Sequence, residues 1–252
     1  MTKKIWIIKI GSALITNNGK GIDKIAISDW VRQIVELKKQ NIDIILVSSG
    51  AIAEGMNRLN WKIRPTEIEK LQAAAAVGQM GLIQIYESAF SKYNYHTAQV
   101  LLTHNDIKSN SNIKIKNTLK TLLEVNTIPI INENDTVDTD EICFGDNDTL
   151  ASEIALLLNA NKLIILTDQE GLYNKDPRDN KDAKLIKKIN INDEQLQTFA
   201  TKSKGGLGSG GMFSKISAAK QAATKEINTH IAYGLNKDVL LNLETLGTII
   251  YC

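Results

Sequence analysis

KIWIIKIGS at 4–12 and IDIILVSSGAIA at 42–53 each carry an apolar, β-branched run straight into small hydroxyl and glycine residues. Strands that stay apolar, instead of alternating apolar with polar, are expected where helices cover both faces of a parallel sheet. Further short runs of this kind stand at 127–131, 163–166, 229–232 and 248–251. Helix-period stretches at 25–40, 66–92, 148–159 and 212–227 lie between several of them. This alternation predicts an α/β sandwich with an open, mainly parallel sheet.

The length of 252 residues allows one large domain or two small ones. A division near residue 160 is expected, with both halves sharing one sheet. Thirty Lys and Arg against 28 Asp and Glu leave a formal charge of +2, too balanced for a general nucleic-acid binder. A content of 43% hydrophobic residues with only 3 Pro excludes disorder and collagen-like chains. Two cysteines, Cys143 and Cys252, make no disulfide framework or multi-thiolate metal site, which favours the cytoplasm. The apolar start breaks at Lys9 and no small-residue cleavage site follows, so a buried strand is expected there and not a leader. The run at 73–85 is interrupted by Gln79 and Gln84 and falls short of the ~18 residues of a membrane span.

Open α/β sheets bind ligands beyond the carboxyl ends of their strands, so the strand exits carry the functional signal. Lys9 stands late in an apolar strand before Gly11; it either meets a phosphate or snorkels from an edge strand. Ser48-Ser49-Gly50 precede a helix start, where amide groups attract an anion, although serine is also a common N-cap. INEND at 131–135 follows another apolar run and suits either a polar loop or hydrogen bonds to an ammonium group. GDND at 145–148 opens a helix; capping accounts for Asp146 and leaves Asn147 and Asp148 for other work. Thr167-Asp168 form one more polar exit. The charge-dense segment at 176–188 is either a loop over a cleft or a solvated surface.

GGLGSGGMFSK at 205–215 is glycine-dense and runs into an alanine-rich helix. Such amides form an anion-binding nest, and a lysine at a helix start, where the dipole disfavours it, points to bound phosphate. Gly206, Gly208 and Gly211 satisfy a dinucleotide spacing, but no apolar strand precedes them. P-loop and protein-kinase signatures are absent. His96, His104 and His230 lack metal-ligand spacing or a nucleophile partner, and structural roles are expected. The alanines and glycines of 72–81 permit close helix contact, in the core or at a subunit interface.

Taken together, KIGS at 9–12, VSSGAIA at 47–53, AAVGQ at 75–79, INEND at 131–135, GDND at 145–148, LTDQ at 166–169 with GLY at 171–173, and GSGGM at 208–212 with Lys215 resemble the amino-acid kinase family across essentially the whole chain. That resemblance implies a three-layer αβα sandwich and phosphorylation of the side-chain carboxylate of L-glutamate by ATP with Mg²⁺, the first step of proline synthesis. By family pattern Lys9 and Lys215 contact the phosphates and Asp148 orients them. Ser49, Asp135 and Asn147 match the positions that hold glutamate. Thr167, Asp168, Ser209, Gly210, Gly211, Met212, Phe213, Ser214 and Lys215 match the nucleotide side, and no residue is assigned as a metal ligand. Residues 1–160 then form the acceptor half and 161–252 the nucleotide half of a single domain. A carboxylate nucleophile is already ionised at pH 7, so a missing catalytic histidine is no difficulty. Glutamyl-phosphate reductase as a partner and a homo-oligomeric assembly are expected, without nucleic acid or membrane. Many longer members carry a further carboxyl-terminal domain; a short form ending at Cys252 is expected. The alternatives are another acyl-phosphate-forming amino-acid kinase, or a non-catalytic amino-acid-binding regulator of the same fold.

Overall fold

The computed structural model describes residues 3–16, 21–109, 112–138, 147–202 and 210–252. Among these, β1 (Lys4–Ile10), β2 (Ile42–Ser48), β3 (Thr97–Leu102), β4 (Ile128–Glu133), β5 (Lys162–Thr167), β6 (Lys188–Asn190), β7 (Asn228–Tyr233) and β8 (Thr248–Tyr251) form one sheet. Its order is β3-β4-β2-β1-β5-β7-β8-β6. Every pairing is parallel except β7 with β8. The helices are α1 (Ser12–Ile15), α2 (Lys24–Lys39), α3 (Ala51–Arg58), α4 (Ile68–Phe90), α5 (His104–Lys108), α6 (Asn112–Glu124), α7 (Asn147–Leu158), α8 (Gln195–Lys202) and α9 (Met212–Ala223). Beyond the six strand runs expected from sequence, the sheet includes β3 and β6. The first is a half-buried edge strand, the second only three residues long.

Side-chain parity divides the core into two layers. Trp6, Ile8 and Ile10 of β1 pack with Ile27, Trp30 and Ile34 of α2 and with Leu82, Tyr86 and Phe90 of α4. Ile7 faces the other way, into Leu150, Ile154, Ile216 and Ala219 of α7 and α9. The result is the αβα sandwich. Helix α2 shows why local sequence obeys this plan. Asp23 caps it by accepting from the Ile25 and Ala26 amides at 3.0 and 2.9 Å, and Ile27, Trp30, Val31 and Ile34 recur at helical spacing on its buried face. Each such side chain contributes about 1.5–3 kcal/mol by leaving water. Among the described residues no helix is long and apolar enough to cross a membrane.

His230 on β7 is buried, and its Nδ1 has no hydrogen-bond partner among the described residues. Burial, with a smaller push from Lys162, lowers its pKa from 6.5 to about 4. The folded protein therefore keeps this ring neutral while the unfolded chain takes up a proton near its ordinary value. Stability from this group is complete above pH 6.5 and is lost as pH falls toward 4, by about 3 kcal/mol in all. Urea unfolding at pH 7 and pH 4.5 checks this: His230→Leu removes the corresponding part of the acid sensitivity, and an unchanged pH slope in the variant refutes it.

Candidate active site

The carboxyl ends of β1, β2, β4 and β5 meet where the strand order reverses. From β1 the chain builds outward through β2 to β4 and β3, then returns to β5 on the opposite side of β1. Crevices at such switch points are where open α/β sheets take their ligands.

Lys9, next to last in β1, shares the parity of Ile7 and so projects under α7. Asp148 stands there in the first turn of α7, its Oδ1 2.7 Å from Lys9 Nζ. Lys215, in the first turn of α9, places its Nζ 3.1 Å from Asp148 Oδ2 and also donates to the Gly210 carbonyl. Ser214 Oγ lies 2.7 Å from the same carboxylate oxygen and 2.8 Å from the Gly211 carbonyl. Lys9, Lys215 and Asp148 are 4%, 5% and 0% exposed. The snorkelling reading of Lys9 is thereby excluded, because β1 has strands on both sides and the ammonium points inward.

Burial pushes the Asp148 carboxyl up, but Lys215 and then Lys9 outweigh it and hold it well below the usual carboxylate range. For Lys215 burial is again the largest influence and pulls the ammonium down; Asp148 opposes this and Lys9 adds to it. Asp148 thus receives two buried ammonium groups, with Asp168 acting on Lys215 from further off. Buried charge is costly unless it is paired, and Asp148 supplies that pairing.

Ser49 follows the end of β2. Gly50, at φ 106, takes a left-handed conformation that other residues rarely adopt and turns the chain into α3. The serine does not cap that helix. Its Oγ instead accepts from Asn147 Nδ2 at 2.8 Å, and the same amide donates to Asn132 Oδ1 at 2.9 Å. Asn132 Nδ2 in turn donates to Gln79 Oε1 of α4 at 3.0 Å. Asp135, 5% exposed, lines a pocket of about 230 Å³ together with Ala75, Gln79, Gln99 and Glu133. The INEND segment is therefore only partly a strand exit: Asn132 and Glu133 lie inside β4, fully buried, and the loop begins at Asn134.

On the other side of β1, Thr167 ends β5 and its Oγ1 donates to Asp168 Oδ1 at 3.1 Å. The Gly11 amide donates to the Leu166 carbonyl at 3.1 Å, tying the exits of β1 and β5 together. Met212 is buried and anchors the start of α9, whereas Phe213 is 55% exposed. Ser209, like Gly145 and Asp146, lies outside the described residues.

Of the sequence-derived candidates, Lys9, Asp148, Ser214, Lys215 and Gly210 meet directly. Ser49 and Asn147 form a second contact one residue along α7, and Asp135 stands on the adjoining pocket. Sequence reasoning gave Asn132 no role beyond that of the 131–135 run as a whole and gave Gln79 none, although both fall in motifs it singled out. It also missed a buried polar cluster: His104 Nδ1 is 2.7 Å from Glu153 Oε2, and His104 Nε2 is 3.7 Å from Glu133 Oε2. This cluster ties α5, β4 and α7 together beside the pocket that Glu133 and Asp135 line.

Comparison with known proteins bears on the same architecture. The chain is 52% identical over 249 residues to a protein of Hydrogenovibrio crunogenus named glutamate 5-kinase, covering 97% of this chain and 66% of that one. A glutamate 5-kinase of Azoarcus sp. is 53% identical, with 97% and 67% covered. The chain thus spans about two thirds of the length of these curated relatives. Among solved structures, carbamate kinase from Giardia lamblia bound to AMP-PNP superposes with a TM-score of 0.65 at 16% identity, over 99% of both chains. UMP kinase from Ureaplasma parvum gives 0.66 at 19% identity, over 100% of both. These two share the fold. The Amino acid kinase family model matches residues 4–233. Because that match runs from the start of β1 to the end of β7, the chain belongs to the amino acid kinase family.

Proposed function

We propose that this chain transfers the γ-phosphoryl group of ATP to the side-chain carboxylate of L-glutamate, giving ADP and glutamyl 5-phosphate, the first step of proline biosynthesis. The observation that carries this reading is the buried pair of ammonium groups, Lys9 and Lys215, converging on Asp148. Phosphoryl transfer asks a protein chiefly for positioning and for neutralising charge spread over the phosphoryl oxygens. Held in place by Asp148, the two lysines supply that charge without reorganisation. The relatives named glutamate 5-kinase direct the reading to glutamate.

A γ-carboxylate oxygen attacks the γ-phosphorus while the bond to the β,γ-bridging oxygen breaks and ADP leaves. The attacking carboxylate is ionised at neutral pH, so no residue has to remove a proton. Ser49 and Asn147 hold the acceptor near Asp148, and Asp135 takes its α-ammonium group. Thr167, Asp168 and residues 210–215 serve the nucleotide, so that 1–160 works as the acceptor half and 161–252 as the nucleotide half of one domain. Mg²⁺, when bound, adds positive charge at the phosphates. Among the described residues no group of three or more His, Cys, Asp or Glu is placed to hold a metal ion, and Asp148 is already committed to two lysines. We place the reaction in the cytoplasm, with the labile acyl phosphate passed to glutamyl-phosphate reductase and the enzyme assembled as a homo-oligomer.

The test is ATP turnover in the presence of hydroxylamine, which traps acyl phosphates as hydroxamates. L-Glutamate gives hydroxamate, and L-aspartate, one methylene shorter, gives at least about tenfold lower kcat/KM. No ADP release with glutamate, or faster turnover of N-acetylglutamate, overturns the assignment.

A further inference from the structure

The amide chain of the acceptor side has an open end. Asn147 donates to Ser49 and Asn132, and Asn132 donates to Gln79 Oε1, but Gln79 Nε2 has no hydrogen-bond partner among the described residues. Gln79 is only 6% exposed and lines the pocket that holds Asp135 and Glu133. A buried donor left unpaired is costly, and a ligand acceptor placed against it removes that cost.

We propose that Gln79 determines acceptor specificity, its Nε2 donating to the α-carboxylate of the amino acid whose α-ammonium group meets Asp135. The inference rests on the glutamate reading given above and extends it to a residue with no assigned role. Polarity supports it first. Asn132 Nδ2 occupies the Gln79 carbonyl, so the NH₂ group is the half of the side chain left for the pocket. Asp135 and Glu133 already supply that pocket with acceptors for an ammonium group. What an amino-acid carboxylate needs in addition is a donor, and an amide offers one without a charge to bury. Position supports it second. Asn147 is the chain neighbour of Asp148, while Gln79 is two hydrogen bonds further along, so it meets the end of the acceptor remote from phosphoryl transfer. A concerted flip of the three amides would instead turn the Gln79 carbonyl into the pocket and favour the ammonium group, a reading the experiment separates.

The experiment measures kcat and KM of wild type and Gln79→Leu with three acceptors. These are L-glutamate, L-isoglutamine, in which the α-carboxylate is a neutral amide, and glutarate, which lacks the ammonium group. In Gln79→Leu the KM for glutamate rises about tenfold with the KM for ATP unchanged. Glutarate suffers the same loss and isoglutamine little of it. An unchanged glutamate KM, an equal loss with isoglutamine, or a loss that vanishes with glutarate each overturns the proposal. Gln79→Met, closer in shape, repeats the comparison if the leucine variant melts early. Wild-type turnover of glutamate is read in the same series, so a failure of the kinase reading is distinct from a failure at Gln79.

Discussion

Lys9→Ala and Lys215→Ala each lower kcat by about 10²–10³ while the protein stays folded. The magnitude is that of removing one preorganised group from the charge developing in a transition state. Each lysine lies within 3.1 Å of an Asp148 oxygen, so the loss of one leaves the carboxylate paired with the other. This protects the fold from a bare buried charge, which is the expensive outcome. The shared carboxylate also makes the two residues one unit, and the double variant loses less than the product of the single losses. Hydroxamate formation and thermal melting, measured on the same preparations, check both statements. Near-normal turnover in either single variant sinks the assignment of phosphate charge to these lysines.

Gly78→Val destabilises the protein by at least about 3 kcal/mol and reduces turnover with it. A Cβ at position 78 would stand 1.8 Å from the Ala51 carbonyl oxygen and 2.3 Å from the Gly55 amide nitrogen. On the facing helix, a Cβ at Gly55 would stand 1.7 Å from the Ala74 carbonyl oxygen. Both obstacles are backbone, which cannot rotate away, so α3 and α4 must separate; overpacking of a closed contact costs this much or more. The separation reaches the site because α3 begins two residues after Ser49 and α4 carries Gln79. Ala73→Ser, on the exposed side of α4, is the matched control and changes stability by less than about 0.5 kcal/mol. Chemical unfolding of the pair decides it: equal midpoints would show that the helices have room to spare.

The same crossing resolves a question that composition left open. The alanine and glycine stripe of 72–81 suited either internal packing or a subunit interface. Gly78 and Ala74 are used internally, against Ala51 and Gly55 of α3. The proposed oligomer therefore draws no support from them.

The six apolar strand runs were legible because both faces of the central strands are covered, and continuous β-branched residues record that directly. Strand β3 was not, because as an edge it is only half buried and carries Ala98 and Gln99 among its apolar residues. Helices α5 and α6 were likewise unread, α6 being polar with only Leu119 and Leu123 buried. Lys9 and Lys215 were readable as candidates since each sits where a positive charge is out of place locally, late in an apolar strand or in the first turn of a helix, and Asp148 since capping by Asp146 left it without a local task. His104 and Glu153 gave no such sign. They lie 49 residues apart, and each alone looks like an ordinary helix residue.

The sequence by itself determined the layer order, the parallel core of the sheet and the short list of polar strand exits. Local burial and backbone freedom leave a periodic trace along the chain, and these features follow from that trace. Only the tertiary structure decided that one carboxylate serves both lysines, that Ser49 answers to Asn147, 98 residues away, instead of capping α3, and that the amide chain from Asn147 through Asn132 ends at Gln79 in the pocket lined by Asp135. Hydrogen bonds and buried ion pairs act over about 3 Å, and which groups come that close is fixed by how strands and helices pack, a distance that no spacing along the chain encodes.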